Sequence, residues 1–461
     1  MMSNERGYVI ESNLIHDWVT PIKINREVAM AYIEKVDIEG FWGDRHLTLD
    51  FHDDVNFLIG PNGSGKTTVI NTIAAALTAD FQNLDTLPFR TISIVLNDPN
   101  TKRKPIVEVK KRERKRMPFA SIEYSIKESS KAEAKRYSLD ELQESIHIRD
   151  YPTSRARFQR WQQSAFSDVF QQLEGLVPTT WLSIHRARGP RFAREERNYE
   201  FTVDQKLIEI SDSLVRFFSA LQKRANDYST KFQETIFLSL IDEFKPRELF
   251  GAIQDFDVEG ERSSLIDIFD KFNIPKSNYL NRTNDHFDEI GTVIRNTITE
   301  REGADSFSLK LEEGFTLLNS WRIHSVVQEW GRIVTSQQEI YEPRDTFLSI
   351  LNDMFQRKKL YINERNEIVA QSQSGKLLMP TDLSSGEKQL LIIMGEALLQ
   401  KGMPWVYIAD EPELSLHVNW QVTLVDNLRK MNPASQIVIA THSPDIVSHF
   451  SDRIHDMEKL L

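Results

Sequence analysis

The chain of 461 residues is long enough for two or three domains. Its 40% hydrophobic and 27% charged residues are the proportions of a globular protein, and its net charge of −11 argues against a surface coated with nucleic acid. The absence of cysteine excludes disulfides, cysteine nucleophiles and zinc sites built on cysteine.

Hydropathy gives no sign of a membrane protein. The longest apolar run, Leu390–Met394, is far shorter than the roughly 20 residues that span a bilayer. The N-terminus carries no basic segment followed by an apolar one. We therefore predict no signal peptide, no membrane contact and a cytoplasmic location.

The first predicted strands follow residues 1–30, which show no clear periodicity. They are Tyr32–Ile38 and Leu47–Phe51, with a turn at Gly40–Arg45 between them. For Phe41 and Trp42, packing is the favoured role over stacking on a nucleotide base.

Residues 57–68 read Phe-Leu-Ile-Gly-Pro-Asn-Gly-Ser-Gly-Lys-Thr-Thr, an apolar strand that runs into a glycine-rich loop. The spacing Gly60-x-x-x-x-Gly65-Lys66-Thr67 fits the phosphate-binding loop at every fixed position. Backbone N–H groups of such a loop cradle phosphate, and the N-terminus of the following helix adds positive charge. The predicted nucleotide contacts are Gly60, Asn62, Gly63, Ser64, Gly65, Lys66, Thr67 and Thr68.

Two side chains of this loop have predicted roles of their own. Lys66 would reach the β- and γ-phosphate oxygens, and the Thr67 hydroxyl would be a ligand of Mg²⁺. The alternative, a glycine turn between a strand and a helix that binds no phosphate, is strongly disfavoured. The segment therefore predicts a nucleoside triphosphate site.

Positive charge is concentrated in Lys102–Arg116, which holds nine Lys or Arg residues against two Glu. Strand-like alternation at Ile92–Leu96 and Ile122–Ile126 predicts an antiparallel hairpin beside the nucleotide. The charges either protect a hairpin edge from aggregation or contact the phosphate backbone of a nucleic acid. Further on, Arg186 or Arg188, after the buried-strand candidate Trp181–Ile184, is predicted to serve the nucleotide site or a subunit interface.

From about residue 200, apolar residues recur at intervals of three and four, which predicts a long helix up to Phe244. Shorter helices and loops are expected over 247–310, and a second helical stretch over Trp321–Ile340. A stripe of roughly 40 residues makes a helix of about 60 Å. We predict a helical insert at 201–344 between two halves of one ATP-binding head, 1–200 and 345–461.

Leu383-Ser384-Ser385-Gly386-Glu387 precedes an apolar helix. Ser384 and Glu387 have the spacing of an ordinary capping box. A serine-glycine helix start also presents free N–H groups and a positive dipole end to a phosphate.

Two buried-strand candidates near the C-terminus each end in polar residues. Asp410-Glu411 follows Trp405–Ala409; Asp410 is predicted to hold Mg²⁺, directly or through water, and Glu411 to polarise the attacking water as a general base. Pro412 is expected to begin a helix. His442 follows Ile437–Ala440 and is predicted to contact the γ-phosphate.

Four elements follow one another along the chain: the phosphate-binding loop Gly60–Thr67, the signature Leu383–Glu387, the acidic pair Asp410-Glu411 and His442. In this order, they resemble the ABC-type ATPases of the SMC, Rad50 and overcoming-lysogenization-defect proteins. The resemblance implies an α/β fold: an ABC-type P-loop ATPase head with a mixed sheet flanked by helices, an antiparallel β subdomain and a helical insert. It also implies that two heads sandwich ATP, the loop of one facing the signature of the other: Ser384, Ser385, Gly386 and Glu387.

The sequence departs from the transporter members of this group in two places. The signature reads Ser-Ser-Gly-Glu rather than Ser-Gly-Gly-Gln, and His417 stands where transporters usually carry an aspartate. The phrase Pro412-Glu413-Leu414-Ser415-Leu416-His417 resembles the prokaryotic defence ATPases.

Within this group, the plan of the chain resembles the ATPase subunit of antiphage systems of the Septu type, which oligomerises and controls a separate HNH endonuclease. That resemblance implies ATP and Mg²⁺ as cofactors, head-to-head dimers within a homo-oligomer, and a separate nuclease subunit. An ATPase partner of a Toprim effector is one alternative. A DNA-repair ATPase of the SMC/Rad50 kind is another, with short arms and the missing Cys-x-x-Cys hook against it.

Overall fold

The protein is described from a computed structural model over residues 31–112, 120–138, 167–182, 195–239, 241, 256–301 and 310–460. The chain divides into two compact units. The first is Met1–Phe218 together with Pro343–Leu461, and the second is Ser219–Glu342.

The described strands all lie in the first unit. In chain order they are β1 Tyr32–Phe41, β2 Arg45–Asp50, β3 Val55–Ile59, β4 Thr91–Asn97, β5 Ile106–Arg112, β6 Ser121–Lys127, β7 Lys135–Ser138, β8 Thr179–Leu182, β9 Lys358–Ile362, β10 Ile368–Ser372, β11 Leu377–Leu378, β12 Trp405–Asp410, β13 Ser435–Ala440 and β14 Ile454–Asp456.

The described α-helices fall in both units. They are α1 Lys66–Leu77, α2 Phe81–Thr86, α3 Ser167–Leu176, α4 Glu195–Ser239, α5 Val258–Lys271, α6 Lys276–Arg301, α7 Leu311–Met354, α8 Ser385–Leu399, α9 Val418–Met431, α10 Pro444–Val447 and α11 Met457–Leu460.

A parallel sheet carries the loops that matter for function. Its strand order is β14-β3-β13-β12-β8, and each neighbouring pair in it is parallel. The strands β3, β12 and β13 are short and almost entirely buried, as expected of parallel strands covered on both faces. Because these strands point the same way, their carboxyl ends meet at one edge of the sheet.

A second sheet, of order β2-β1-β4-β5-β6-β7, is antiparallel throughout. Alternate residues of β4 are buried, so one face of this sheet packs inward. Val69, Ile70 and Ile73 of α1 share one core with side chains of both sheets. A third, small antiparallel sheet, β11-β10-β9, precedes α8. The predicted fold class, an α/β head with an antiparallel subdomain and a helical insert, is confirmed.

The predicted basic hairpin forms from β4 and β5, which pair antiparallel. However, β5 also pairs with β6, so β5 is not an edge strand and the edge-protection interpretation is wrong for it. Several of its charges are already engaged: Lys104 pairs with Glu34 and Lys110 with Glu108, while Lys111 Nζ donates to two backbone carbonyls. Residues 113–116, Arg186 and Arg188 lie outside the described residues.

The long helices expected around the insert are present: α4 has 45 residues and α7 has 44. The helices between them are shorter, as expected: α5 has 14 residues and α6 has 26. Phe287, Ile290, Val293 and Ile294 recur along α6 at helical spacing and form a core with Leu317 of α7. The predicted end of the first long helix at Phe244 lies outside the described residues.

The second unit begins at Ser219, inside α4, because the preceding part of this helix packs on α8 of the first unit. Lys388 Nζ donates to Asp204 Oδ1 at 2.7 Å, and Lys206 pairs with Glu396 at 2.7 Å. None of the helices in the described part of the chain combines the length and apolar character of a membrane span.

Candidate active site

The glycine-rich loop leaves β3 and enters α1 with a backbone that favours glycine. The φ angles of Gly60, Gly63 and Gly65 are 149°, 85° and 87°. A Cβ at Gly65 would lie 3.0 Å from Phe41 Cζ and 3.1 Å from Trp42 Cη2. Phe41 is fully buried, which supports packing as its role, whereas Trp42 is 41% exposed beside the loop.

Lys66, the first residue of α1, is folded onto the loop that precedes it. Its Nζ donates to the carbonyl oxygens of Gly60 and Pro61 at 2.7 and 3.2 Å. Burial lowers the pKa of Lys66, and the carboxylates of Glu411, Asp410 and Glu413 partly counter this effect. The ammonium therefore lies within the electrostatic reach of three acidic side chains at the same edge of the sheet.

Thr67 joins the loop to the end of β12. Its Oγ1 donates to Asp410 Oδ1 at 3.1 Å, across 343 residues of sequence. A hydroxyl and a carboxylate oxygen are the hard ligands that Mg²⁺ prefers, and Mg²⁺ commonly takes one or two carboxylates besides phosphate oxygens. The described residues contain no cluster of three or more His, Cys, Asp or Glu that could hold a metal. A Mg²⁺ ion that needs phosphate oxygens as further ligands fits this pair.

Glu411 and His442 meet beyond the ends of β12 and β13. Glu411 has a φ of 48°, and its N–H donates to the Ala440 carbonyl at 2.8 Å. Glu411 Oε1 lies 3.8 Å from His442 Nε2. The two residues predicted to act on the γ-phosphate and the attacking water are therefore brought together.

The predicted helix start at Pro412 is wrong. Residues 412–415 form a turn, in which the Leu414 N–H donates to the Glu411 carbonyl. The helix α9 begins only at Val418, with His417 as its N-cap. Ser415, which would be the fourth residue of that helix, has a φ of 74°, so a right-handed helix from Pro412 is interrupted there.

Sequence reasoning missed Glu413, a buried residue of this turn. Its Oε1 accepts hydrogen bonds from Thr441 Oγ1 at 2.5 Å and from the His442 N–H at 3.1 Å. Its sequence signals are its place in the phrase Pro412–His417 and the buried strand just before it, and no periodicity indicates that it faces inward.

The signature opens α8, as predicted. The backbone N–H and Oγ of Ser384 both donate to Glu387 Oε2 at 2.8 Å, so these two residues cap the N-terminus of α8. Burial alone raises the pKa of Glu387, but its bonds to Lys358 and Ser384 outweigh burial and hold that pKa below its ordinary value. Ser384 and Ser385 remain exposed.

Gly386 lets the start of α8 pack closely against the turn that follows Glu411. A Cβ there would lie 2.4 Å from the Ser415 carbonyl oxygen. In the same region, Gln389 Nε2 donates to the Pro412 carbonyl at 2.8 Å. The exposed serines at the start of α8 and the turn at residues 412–415 are therefore held together within one head.

The remaining loop residues have simpler surroundings. Asn62 is exposed, Thr68 is half-buried, and Ser64 Oγ is buried without a hydrogen-bond partner among the described residues. No hydrogen bond joins Ser384 or Ser385 to the glycine-rich loop in the described part of the chain.

A phosphate-binding loop, a carboxylate pair and a histidine at one edge of a parallel sheet define an ABC-type P-loop ATPase head. Residues 31–447 match the family described as "AAA ATPase domain". The chain therefore belongs to this family.

Short segments of the chain are similar in sequence to two known proteins. The "DNA double-strand break repair Rad50 ATPase" of Methanopyrus kandleri is 44% identical over 45 residues, which cover 10% of this chain and 5% of that protein. "Structural maintenance of chromosomes protein 6" of Dictyostelium discoideum is 42% identical over 53 residues, covering 12% of this chain and 4% of that protein. These matches thus span about a twentieth of the length of each relative.

Solved structures of SMC heads are similar over most of the chain. The Smc head domain of Pyrococcus furiosus with an extended coiled coil, bound to the C-terminal domain of ScpA, is 12% identical, covers 91% of both chains and has a TM-score of 0.39. The SMC head domain from Thermotoga maritima is 12% identical, covers 92% of this chain and 94% of that chain, and has a TM-score of 0.36.

We expect Gly386→Ala to lower stability by about 1–3 kcal/mol, the usual effect of overpacking, because its Cβ meets the Ser415 carbonyl. Gly175→Ala is the matched control: Gly175 is also helical, and a Cβ there meets nothing within 4 Å. The control should be neutral or gain up to roughly 1 kcal/mol. Thermal unfolding midpoints measure both, and equal midpoints would contradict the close approach at Gly386.

Proposed function

We propose that the chain is the ATP-hydrolysing subunit of a bacterial antiphage complex of the Septu type, in which it controls a separate HNH endonuclease. The observation that carries the hydrolytic part is the hydrogen bond between Thr67 and Asp410, because it unites the loop and the carboxylate pair at the sheet edge beside His442. The biological role rests on the resemblance of Pro412–His417 to defence ATPases.

The loop binds the triphosphate. We assign backbone N–H groups of the loop and the N-terminus of α1 to the phosphates. Lys66, which now donates to two loop carbonyls, transfers its donors to the β- and γ-phosphate oxygens. Thr67 and Asp410 hold Mg²⁺, which when bound neutralises charge on these phosphates.

Hydrolysis uses the pair beyond β12 and β13. Glu411 orients the attacking water and accepts its proton. His442, 3.8 Å away, donates a hydrogen bond to the γ-phosphate. This separation allows Glu411 to contact the attacking water while His442 contacts an oxygen of the γ-phosphate.

The site is completed by a second copy of the chain. Ser384 and Ser385 are exposed and lie at the start of α8, where backbone N–H groups and the helix dipole favour an anion. We assign to them the γ-phosphate of ATP held by the partner head. Two heads therefore dimerise with two ATP molecules between them, as a step toward a larger homo-oligomer.

The insert is the favoured contact for the nuclease subunit. Its described residues include apolar side chains that are largely exposed: Phe237, Leu238, Ile241, Leu311 and Phe315. Exposed apolar groups of this kind are typical of protein contact surfaces. Contact of nucleic acid with Lys102–Arg116 stays a prediction.

A DNA-repair ATPase of the SMC/Rad50 kind is the second candidate. The local matches to Rad50 and SMC6 favour it. The 45-residue helix α4, about 70 Å long at the usual rise, and the lack of a cysteine hook favour the defence role instead. A Toprim effector in place of the HNH nuclease is a variant of that role.

We expect Glu411→Gln to lower the rate of ATP hydrolysis by about 10²–10⁴-fold, because it removes the general base. ATP binding should persist in this variant, whereas Lys66→Ala should weaken it. Steady-state hydrolysis and equilibrium binding of labelled ATP separate the two effects. A wild-type rate for Glu411→Gln would show that the base is another group.

Ser385→Arg should block closure of two heads while each head still binds ATP. A forced heterodimer of Lys66→Ala and Ser385→Arg should recover part of the activity, since one of its two sites is built from intact halves. Each variant mixed with itself is the control. If the heterodimer is as inactive as the controls, the head-to-head sandwich is wrong.

The purified chain should bind or hydrolyse ATP and self-associate without cutting DNA or RNA in Mg²⁺ or Mn²⁺. Co-purification with an HNH nuclease encoded beside it should give a stable complex that cleaves nucleic acid. A Toprim protein or an Mre11-like protein in that position would point to the two alternatives. Metal-dependent cleavage by the chain alone, lost through a substitution outside the ATP site, would overturn the proposal.

A further inference from the structure

Glu413 is a buried carboxylate at the catalytic edge to which hydrolysis, as described above, gives no role. It lies in the turn between β12 and α9 and is only 7% exposed. A carboxylate is rarely buried unless donors or positive charge compensate it. Its surroundings are therefore informative about what it does.

The donors to Glu413 both come from the segment that carries His442. Oε1 accepts from Thr441 Oγ1 at 2.5 Å and from the His442 backbone N–H at 3.1 Å. Thr441 is itself fully buried, and its N–H donates to the Leu58 carbonyl of β3 at 3.1 Å. The Ser443 N–H donates to Thr441 Oγ1 at 2.9 Å.

These bonds tie three strands together at one point. Leu58 is next to the last residue of β3, Thr441 and His442 follow β13, and Glu413 follows β12. The backbone that presents His442 is thus fixed both by the strand that leads into the phosphate-binding loop and by the turn after the carboxylate pair. Hydrogen bonds to a charged carboxylate are stronger than those between neutral groups.

We propose that Glu413 is a positioning residue that holds the backbone of His442 so that its imidazole reaches the γ-phosphate beside Glu411. The inference rests on the γ-phosphate role proposed for His442. Glu413 itself touches neither substrate nor metal. The second oxygen, Oε2, is buried and accepts no hydrogen bond from the described residues, so Oε1 alone carries the contact to the histidine segment.

The acceptor oxygen of Glu413 and its negative charge can be removed separately. Glu413→Ala removes both, whereas Glu413→Gln removes the charge and keeps an acceptor oxygen.

A matched control for plain structural destabilisation is Asp98, in the turn between β4 and β5. It is 8% exposed, its Oδ2 accepts from Thr101 Oγ1 at 2.5 Å, and its Oδ1 accepts from the Asn100 N–H at 2.9 Å. This carboxylate has the same kind of donors as Glu413 but lies away from the nucleotide loop. Asp98→Ala should lower the thermal midpoint and leave kcat for ATP hydrolysis unchanged.

The expected result is a fall in kcat of about 10²-fold for Glu413→Ala, the usual effect of a small misplacement of a catalytic group. KM for ATP should change little, because the loop and Lys66 remain. Glu413→Gln should restore most of the rate. Hydrogen exchange should be faster at the His442 amide in Glu413→Ala than in Glu413→Gln. If Glu413→Ala fails to fold, Thr441→Val and Thr441→Ser make the same comparison from the donor side.

A double-mutant cycle decides between positioning and another role. In a His442→Ala background, Glu413→Ala should cause no further loss of kcat, because the side chain it positions is gone. Fully additive losses, or a fall in kcat for Asp98→Ala equal to that for Glu413→Ala, would overturn this inference and leave the role of His442 intact. A wild-type rate for His442→Ala alone would instead overturn the γ-phosphate role and this inference with it.

Discussion

Parallel pairing of β3 with β13, and of β13 with β12, is the constraint on which the rest of the structure depends. The three strands come from opposite ends of the sequence, yet their carboxyl ends lie side by side. This register places the phosphate-binding loop, His442 and the Asp410-Glu411 pair at one edge of the sheet. Each of these segments alone is an ordinary turn, and together they form a site where charge can be placed around a triphosphate.

The signature is coupled to this edge by backbone contacts rather than by side-chain chemistry. Gly386 lies against the Ser415 carbonyl, and Gln389 bonds the Pro412 carbonyl. The serines that we propose to face a partner head and the residues of the head's own site thus share one turn. The first half of α4 contacts the same helix, because Asp204 accepts from Lys388 and Lys206 pairs with Glu396. Helix α8 therefore contacts both α4 and the turn after β12 within the first unit.

Sequence alone predicts those parts of the site whose chemistry is local. The glycine spacing of the loop, the buried strands and the cap at Ser384 depend on neighbouring residues, and the structure places them as expected. The helix expected at Pro412 fails because Ser415 takes a positive φ, in a turn that packs against Gly386 of α8, which is distant in sequence. Glu413 is missed for a related reason, since its burial depends on Thr441, 28 residues away. The edge-protection interpretation of the basic hairpin fails because strand neighbours cannot be read from one hairpin.

The separation of the strands in sequence also bears on the order in which the protein is made. The antiparallel sheet pairs strands that are close in sequence, so it is able to form while the chain is still being synthesised. By contrast, β3 has β13 and β14 as its neighbours, and both emerge from the ribosome after the whole insert. A nascent chain therefore carries a glycine-rich loop on an apolar strand with two open edges. Thr67 meets Asp410 only after these late strands have paired with β3, so the proposed nucleotide site is complete only in the finished protein.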